Sequence, residues 1–210
     1  MFSFLLGLLI VWIMSFIQHI GYVGIVVLML IDSCNIPIPS EVVMPFSGFL
    51  AAQGVFSFWG VVLAGTIGSW LGSVISYALA DWLIAHRKQY RVLSNIFSDE
   101  TLARASHWFQ HYGDASVFFS RMLPVIRTFI SLPAGIGNMN KKKFSFMTIA
   151  GSFIWSVGLT YAGWMLGDRW QVLEPYIKKF DVVIGVVLLV VIVWWGWRHL
   201  QRKRTKKLIV

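Results

Sequence analysis

The sequence predicts an all-α polytopic membrane protein, built from transmembrane helices and two opposed re-entrant helical hairpins. Of its 210 residues, 57% are hydrophobic and only 13% are charged, and its mean hydropathy is +0.70. A soluble domain of this length carries roughly a quarter charged residues. The apolar residues form long blocks of the kind that cross a bilayer, and two of these blocks are broken by prolines and charges. We therefore predict a single membrane domain over residues 1–210.

The N-terminal region is apolar or amphipathic over residues 2–17, and Gln18, His19 and Gly21 interrupt it. It lacks the basic start and the small-residue cleavage site of a signal peptide. A second apolar run, 22–31, is short for a full span and ends at Asp32. The pattern leaves open whether the first run crosses the membrane or lies on it.

The next stretch, residues 32–45, combines two carboxylates with three prolines, namely Asp32, Glu41, Pro37, Pro39 and Pro45. Pro37 and Pro39 favour extended backbone, and Ser40 is placed to cap a short helix that starts near Glu41. The apolar run that follows ends at Gln53 and Gly54, which is too short to cross a membrane. We predict a re-entrant hairpin over residues 35–53, shaped by these prolines.

Two later blocks have the length of complete spans. Residues 57–83 carry small residues at helical spacing, which allow close helix packing. A polar connection, 84–113, contains His107 and His111, but no third metal ligand is evident, so no metal site is expected. Residues 144–167 form the second span, and residues 181–197 form a third, followed by a basic tail at 198–210.

Residues 118–135, here called the arginine segment, place Arg121 and Arg127 in an otherwise apolar run. Pro124, Pro133 and Gly135 make an uninterrupted helix there unfavourable. Arginine at mid-bilayer costs a few kcal/mol, so such residues line polar cavities rather than face lipid. We predict a second re-entrant hairpin over residues 114–135, with a cavity that holds an anion.

The distribution of lysine and arginine orients these elements. The tail, the Lys141–Lys143 turn and the 84–113 connection are the most basic regions, and the positive-inside rule places them in the cytoplasm. The C-terminus is then cytoplasmic, the 35–53 hairpin enters from the outer face and the 114–135 hairpin enters from the cytoplasmic face. Broken segments that meet near the midplane are typical of secondary transporters. The net charge of +9 is thus a topological signal, and nucleic-acid binding is not expected.

The four charged residues predict a chemistry. Two arginines can clamp one phosphate through their planar guanidinium groups. Asp32 and Glu41 can carry protons or neutralise the arginines when no substrate is bound. Exchange of a phosphate headgroup for these carboxylates would give a proton-linked transport cycle. The alternative is a static buried ion-pair network, which is costly without a purpose.

The same residues resemble a known family. Asp32 with Pro37-x-Pro39-x-Glu41 and Gly48 forms the first match. The second is Phe119-Ser-Arg121-Met-Leu-Pro124-Val-Ile-Arg127 with Pro133-Ala-Gly135, and further matches are Met139, Phe144, Gly151, Trp155 and Gly163. Over about residues 20–167 the chain resembles the DedA family of membrane proteins, also called SNARE-associated or VTT-domain proteins. The resemblance implies two facing re-entrant hairpins in which Asp32, Glu41, Arg121 and Arg127 are required for function.

The resemblance also implies lipid transport driven by the proton-motive force. The Pro-x-Pro-Ser-Glu stretch is most similar to the bacterial branch that returns undecaprenyl phosphate across the cytoplasmic membrane. The expected partners are therefore a polyprenyl phosphate lipid and protons, with no cofactor, no metal and no enzymatic activity. Homo-oligomers remain compatible with the sequence. Three alternatives stay open: transport or scrambling of another phospholipid, proton-coupled antiport of a solute or ion, and a lipid phosphatase using Ser120 or Ser131.

Overall fold

The computed structural model describes residues 2–36, 38–86, 115–123 and 126–167. These residues form helices and connecting turns, without a β-strand in the described ranges. The helices are α1 (Phe2–Ile20), α2 (Tyr22–Ser33), α3 (Ser40–Ala52), α4 (Phe58–Ala85), α5 (Ala115–Ser120), α6 (Ile126–Phe129), α7 (Ser131–Ile136) and α8 (Lys141–Leu166). The predicted third span, the basic tail and His107 with His111 lie outside the described residues. The chain forms two units, and every described helix belongs to the first, Met1–Asp168.

Two described helices, α4 and α8, are long and apolar enough to cross a membrane. They confirm that the predicted spans 57–83 and 144–167 are long apolar helices, although α8 begins earlier, at Lys141. The Asn140 side chain causes this early start, because its carbonyl accepts hydrogen bonds from the backbone N–H groups of Lys142 and Lys143 at 3.0 and 3.3 Å.

Helix α4 packs against both α2 and α8 in defined directions. Along α2, Tyr22 lies against Gly60 and the Leu30 carbonyl lies against Gly72, so α2 and α4 run the same way. Along α8, the tilted rings of Phe144 and Tyr77 have centroids 4.9 Å apart, whereas Ser156 lies against Gly65. Helices α8 and α4 are therefore antiparallel. The glycines allow these backbones to approach closely, as is common between membrane helices.

The N-terminal predictions need two corrections. Helix α1 continues through Gln18 and His19 to Ile20, because the break comes only at Gly21, whose φ of 71° ends the helix. Ser40 is the first residue of α3 rather than its cap, and its hydroxyl donates to the Glu41 carboxylate at 3.2 Å.

Helices α2 and α3 form a helical hairpin that starts and finishes beside the N-terminal end of α4. The Ser57 backbone N–H donates to the Tyr22 hydroxyl at 2.6 Å, and the rings of Tyr22 and Phe56 lie 5.0 Å apart. The helical pair is therefore Tyr22–Ala52, and the predicted 35–53 hairpin covers only its loop and second helix. Pro45 does not end α3, which continues through it to Ala52.

The arginine segment folds back on itself at the opposite end. The Ala134–Gly135 turn of α7 packs against Tyr77 and Ala80 near the C-terminal end of α4. The Tyr77 hydroxyl donates to the Met139 carbonyl at 2.6 Å, which holds the exit of the segment in place. Two helical hairpins thus approach each other from opposite ends of α4.

Candidate functional site

The tips of the two hairpins meet at a buried ion pair between Arg127 and Asp32. Arg127 lies on the short helix α6, and Asp32 lies in the last turn of α2. The Nη2 of Arg127 donates to Oδ2 of Asp32, and both residues are about 5% exposed. The Arg127 guanidinium also lies over the ring of Trp155, 5.3 Å from its centroid. Removing one partner of such a buried pair leaves an uncompensated charge and typically costs about 3–5 kcal/mol.

Arg121 lies in the same region but is bound by hydroxyl groups. Its Nη2 donates to Ser131 Oγ at 2.9 Å and approaches Thr148 Oγ1 at 3.5 Å. Arg121 is only 2% exposed, its Nε has no acceptor among the described residues, and it makes no ion pair there. Its Cβ packs on Gly151, where a side chain would collide with it. A buried guanidinium with unused donors is suited to bind an anion.

Asn35 joins the two tips to α4. Its backbone φ of 68° lies in the left-handed region that asparagine tolerates better than most residues. Its Nδ2 donates to the Thr128 carbonyl at 3.0 Å, and its Oδ1 accepts from the Ser76 hydroxyl at 2.5 Å. One side chain thereby holds the α2–α3 loop, the arginine segment and α4 together.

Glu41 lies at the edge of this centre. It is half-buried at the start of α3, and in the described part of the chain its carboxylate makes no ion pair. Arg127 and Asp32 are in direct contact, and Arg121 lies on the same arginine segment as Arg127. We call the four predicted residues together the charged centre (Asp32, Glu41, Arg121 and Arg127).

The charged centre lies near the middle of both spanning helices. Gly72, at the midpoint of α4, contacts Leu30 and Ser33 at the end of α2 that carries Asp32. Gly151 and Trp155, which contact the two arginines, lie in the middle third of α8. Helices of 28 and 26 residues extend about 40 Å, enough to cross a hydrocarbon core of about 30 Å. If α4 and α8 span the bilayer, the charged centre lies close to its midplane.

The remaining predicted residues have varied positions. Pro39 precedes α3 as its N-cap, Pro45 lies inside α3, and Pro133 and Gly135 lie in α7. Pro37 and Pro124 lie outside the described residues. Sequence reasoning missed Ser131 and Thr148 as hydrogen-bond partners of Arg121, Trp155 as the ring beside Arg127, and Asn35 as the link to the Thr128 carbonyl. Trp155 stood out only as part of the family pattern and Ser131 only as a candidate nucleophile, because the role of such common residues depends on tertiary contacts.

The described residues contain no cluster of three or more histidine, cysteine or acidic side chains that could hold a metal ion. The described histidines, His19 and His86, accept or donate locally within α1 and at the end of α4. The chemistry available at the charged centre is therefore that of guanidinium, carboxylate, hydroxyl and indole groups.

The fold and the site define an all-α membrane protein with a buried arginine–carboxylate centre. Residues 38–165 match the family model described as the VTT domain. The chain therefore belongs to the VTT-domain family, also called the DedA family. No solved structure shows a significant similarity to this chain.

Several relatives are similar over most of their length. A protein of Staphylococcus aureus (strain NCTC 8325 / PS 47) named "Undecaprenyl phosphate transporter A" is 30% identical over 198 residues, covering 91% of this chain and 97% of that protein. A Bacillus subtilis (strain 168) protein of the same name is 30% identical over 191 residues, covering 89% and 92%. A Lactococcus lactis (strain IL1403) protein named "Alkaline phosphatase-like protein" is 32% identical over 186 residues, covering 86% and 87%. These similarities place the chain among bacterial relatives, two of which are named transporters and one of which is named phosphatase-like.

Proposed function

We propose that this protein carries undecaprenyl phosphate across the cytoplasmic membrane, returning the lipid carrier for reuse. The names of the Staphylococcus and Bacillus relatives support this substrate. A phosphate monoester carries a charge of about −1.5 to −2 at pH 7, together with several acceptor oxygens. Two adjacent buried arginines match that charge and those acceptors.

The observation that carries the proposal is the buried Arg127–Asp32 pair beside an Arg121 that lacks a carboxylate partner. A phosphate group that enters the centre can bind Arg121 directly and replace Asp32 on Arg127. The incoming anion then neutralises charges that the carboxylate neutralised before. The ion pair in this interpretation is the resting state of an exchangeable site.

Asp32 and Glu41 supply the coupling in this scheme. When phosphate displaces Asp32 from Arg127, the carboxylate loses its counterion in an apolar environment and takes up a proton. Release of that proton on the other side restores the pair with Arg127 and expels the phosphate. The proton-motive force then drives net transport in one direction.

The hairpins supply access in the same scheme. With the three lysines at the start of α8 in the cytoplasm, the arginine segment enters from the cytoplasmic face and the α2–α3 hairpin enters from the outer face. Both would be re-entrant, and their tips would meet at the midplane. Irregular backbone at that depth is tolerated because it is enclosed by protein.

A lipid phosphatase is the second candidate, favoured by the name of the Lactococcus relative and by the hydrogen bond between Arg121 and Ser131. A serine nucleophile needs a base within hydrogen-bond reach. In the described part of the chain Ser131 hydrogen-bonds to Arg121 and has no histidine or carboxylate partner. A proton-coupled antiporter of a solute or ion is the third, and it would depend on the acids more than on the arginines.

The test is binding of undecaprenyl phosphate, compared with phosphatidylethanolamine, to purified wild type and Arg127→Ala. Hydrogen bonds to charged groups contribute about 1.5–3 kcal/mol, so we expect Arg127→Ala to lose about tenfold or more in affinity for the phosphate lipid. Lys142→Ala removes an exposed cation of the same helix bundle and should bind normally. Inorganic phosphate, measured in the same samples, should not be released.

Arg127→Ala leaves Asp32 buried without a counterion, so Asp32→Ala/Arg127→Ala serves as a second variant that removes both charges together. It should fold and still fail to bind the lipid. Normal transport of undecaprenyl phosphate by a reconstituted Arg121→Ala/Arg127→Ala protein would refute the proposal. Release of phosphate from the lipid would favour the phosphatase, and solute-driven proton flux without either arginine would favour the antiporter.

A further inference from the structure

Helices α4 and α8 each carry a row of buried hydroxyl groups at helical spacing. On α4 these are Thr66, Ser69, Ser73 and Ser76, and on α8 they are Thr148, Ser152, Ser156 and Thr160. The two helices are close together at Ser156, whose Oγ lies 3.1 Å from a Cβ built on Gly65, about one turn before Ser69. Small hydroxyl residues also serve helix packing, so the rows alone do not define a site.

Two of these eight residues bond to their own helix, and three others have no hydrogen-bond partner among the described residues. Thr66 and Ser73 donate to the backbone carbonyl four residues earlier, at 2.7 and 2.6 Å, as serine and threonine commonly do in helices. Ser69, Ser156 and Thr160 have no hydrogen-bond partner among the described residues, although they are only 1%, 0% and 0% exposed. An unsatisfied buried polar group costs about 1–3 kcal/mol, so three of them in one seam need an explanation.

The rows begin at the charged centre and lead away from it. Thr148 lies against Arg121, and Ser76 bonds to Asn35. Thr66 and Thr160 lie toward the opposite end, where the α2–α3 hairpin starts and finishes. The two rows therefore lead from the charged centre toward the end of α4 and α8 that is opposite the arginine segment.

Helix α3 covers this seam. Met44 lies over Gly65, with its Sδ 2.6 Å from a Cβ built there, and Gly48 contacts the Thr160 carbonyl. One turn after Thr160 on α8, Gly163 contacts the Pro45 carbonyl of α3. The α3 residues at these contacts, Met44, Pro45 and Gly48, carry no side-chain nitrogen or oxygen that could accept a hydrogen bond. Separation of α3 from α8 would let water satisfy all three.

We propose that the α4–α8 hydroxyl rows form a route for water and protons between the charged centre and the end of the molecule next to Gly54. The route is closed in this structure by α3 and is hydrated when α3 moves away from α8. The proposed function gives the route its purpose, which is to supply Asp32 and Glu41 with protons, but water access can be measured without any lipid substrate.

Cysteine accessibility tests the route directly, because Cys34 is the single cysteine of the chain and Cys34→Ser gives a thiol-free background. In that background Ser69→Cys and Ser156→Cys place near-isosteric thiols in the route. Ile67→Cys and Ile154→Cys are matched controls two residues away on the same helices, where the side chains are 46% and 47% exposed on the outer surface of the bundle. All four proteins are reconstituted in lipid vesicles and treated with a charged methanethiosulfonate reagent.

The reagent reacts with thiolates, which form in water and not in hydrocarbon, so we expect the two route positions to react about tenfold faster or more than the two controls. Equal and slow reaction at all four positions would overturn the proposal. Undecaprenyl phosphate binding by wild-type protein is measured separately. Unreactive route thiols with intact binding refute the route alone, whereas reactive thiols without binding support the route and refute the proposed substrate.

Discussion

Arg127 has three neighbours with different chemical roles: Asp32 balances its charge, Trp155 presents an aromatic face to it, and the adjacent Thr128 accepts a hydrogen bond from Asn35. Because both charges are removed from water, neither can lose its partner without a large cost. A phosphate anion is a partner of equal or greater charge. The physical question at the residue scale is therefore whether Asp32 supports Arg127 or competes with a ligand for it.

The substitution Asp32→Asn separates these roles. Asparagine keeps the size and one acceptor of aspartate but removes its charge, so a phosphate lipid would no longer compete with an anion for Arg127. We expect the affinity for undecaprenyl phosphate to rise by about tenfold, equivalent to about 1.4 kcal/mol, while transport in vesicles falls. Binding to purified protein and transport by reconstituted protein are the measurements.

Asp81→Asn is the matched control for that experiment. Asp81 pairs with Lys141 at 2.8 Å on the surface, where Lys141 is 73% exposed, and such pairs contribute little. Its removal should change neither binding nor transport. If Asp32→Asn lowers stability without a gain in lipid affinity, the charged centre is a static ion-pair network instead.

The charged residues of the site could be predicted from sequence because arginine and acid in an apolar run have no structural use in lipid. Arg121, Arg127, Asp32 and Glu41 stood out in this way, and the structure joins two of them, Arg127 and Asp32, in a buried ion pair. Ser131, Thr148 and Asn35 could not be predicted, because serine, threonine and asparagine are ordinary residues of membrane helices and loops. Their roles follow only from which hairpin tips meet.

At the scale of elements, the hairpin α2–α3 is held by close backbone contacts as well as by the charged centre. Gly48 contacts the Thr160 carbonyl, and Gly163 contacts the Pro45 carbonyl. The hairpin's first helix was hard to predict because the run 22–31 ends at a charge and resembles a truncated span. The contacts of Tyr22 with Phe56, Ser57 and Gly60 show that the chain returns to its starting end.

The α3–α8 seam can be tested with two glycines of α8. A Cβ at Gly163 would collide with the Pro45 backbone, whereas a Cβ at Gly158 would meet nothing within 4 Å. We expect Gly163→Ala to destabilise the protein by about 1–3 kcal/mol, because overpacking forces α3 away. Gly158→Ala should be neutral or stabilising by about 0.5–1 kcal/mol, because alanine favours the helix.

Thermal unfolding of the purified variants in one detergent is the measurement for this pair. The difference between the two variants is more informative than either value, since both make the same chemical change in the same helix. Similar stabilities for Gly158→Ala and Gly163→Ala would contradict the close contact between α3 and α8.

At the largest scale, the first unit, Met1–Asp168, has two distinct ends. One carries the connection between α3 and α4, with Gln53 and Gly54 exposed. The other carries the start of α8, where Lys141 pairs with Asp81 and lies 5.8 Å from the Tyr77 ring centroid. Because α4 runs from the first end to the second and α8 returns, the charged centre is about equally far from both ends. This is the geometry that alternating access to one site requires.

The last prediction concerns the side of the membrane on which each end lies. It can be tested by cysteine labelling, because the chain has a single native cysteine that one substitution removes. In the Cys34→Ser background, Gln53→Cys and Lys142→Cys place exposed thiols at opposite ends. Because basic turns stay in the cytoplasm, a membrane-impermeant thiol reagent should label Gln53→Cys in intact cells and Lys142→Cys only in inverted vesicles. Labelling of both positions from one side would refute the opposed hairpins. Labelling with the two sides exchanged would keep the opposed hairpins, but it would place the arginine segment at the outer face and reverse the direction in which the proton gradient drives phosphate release.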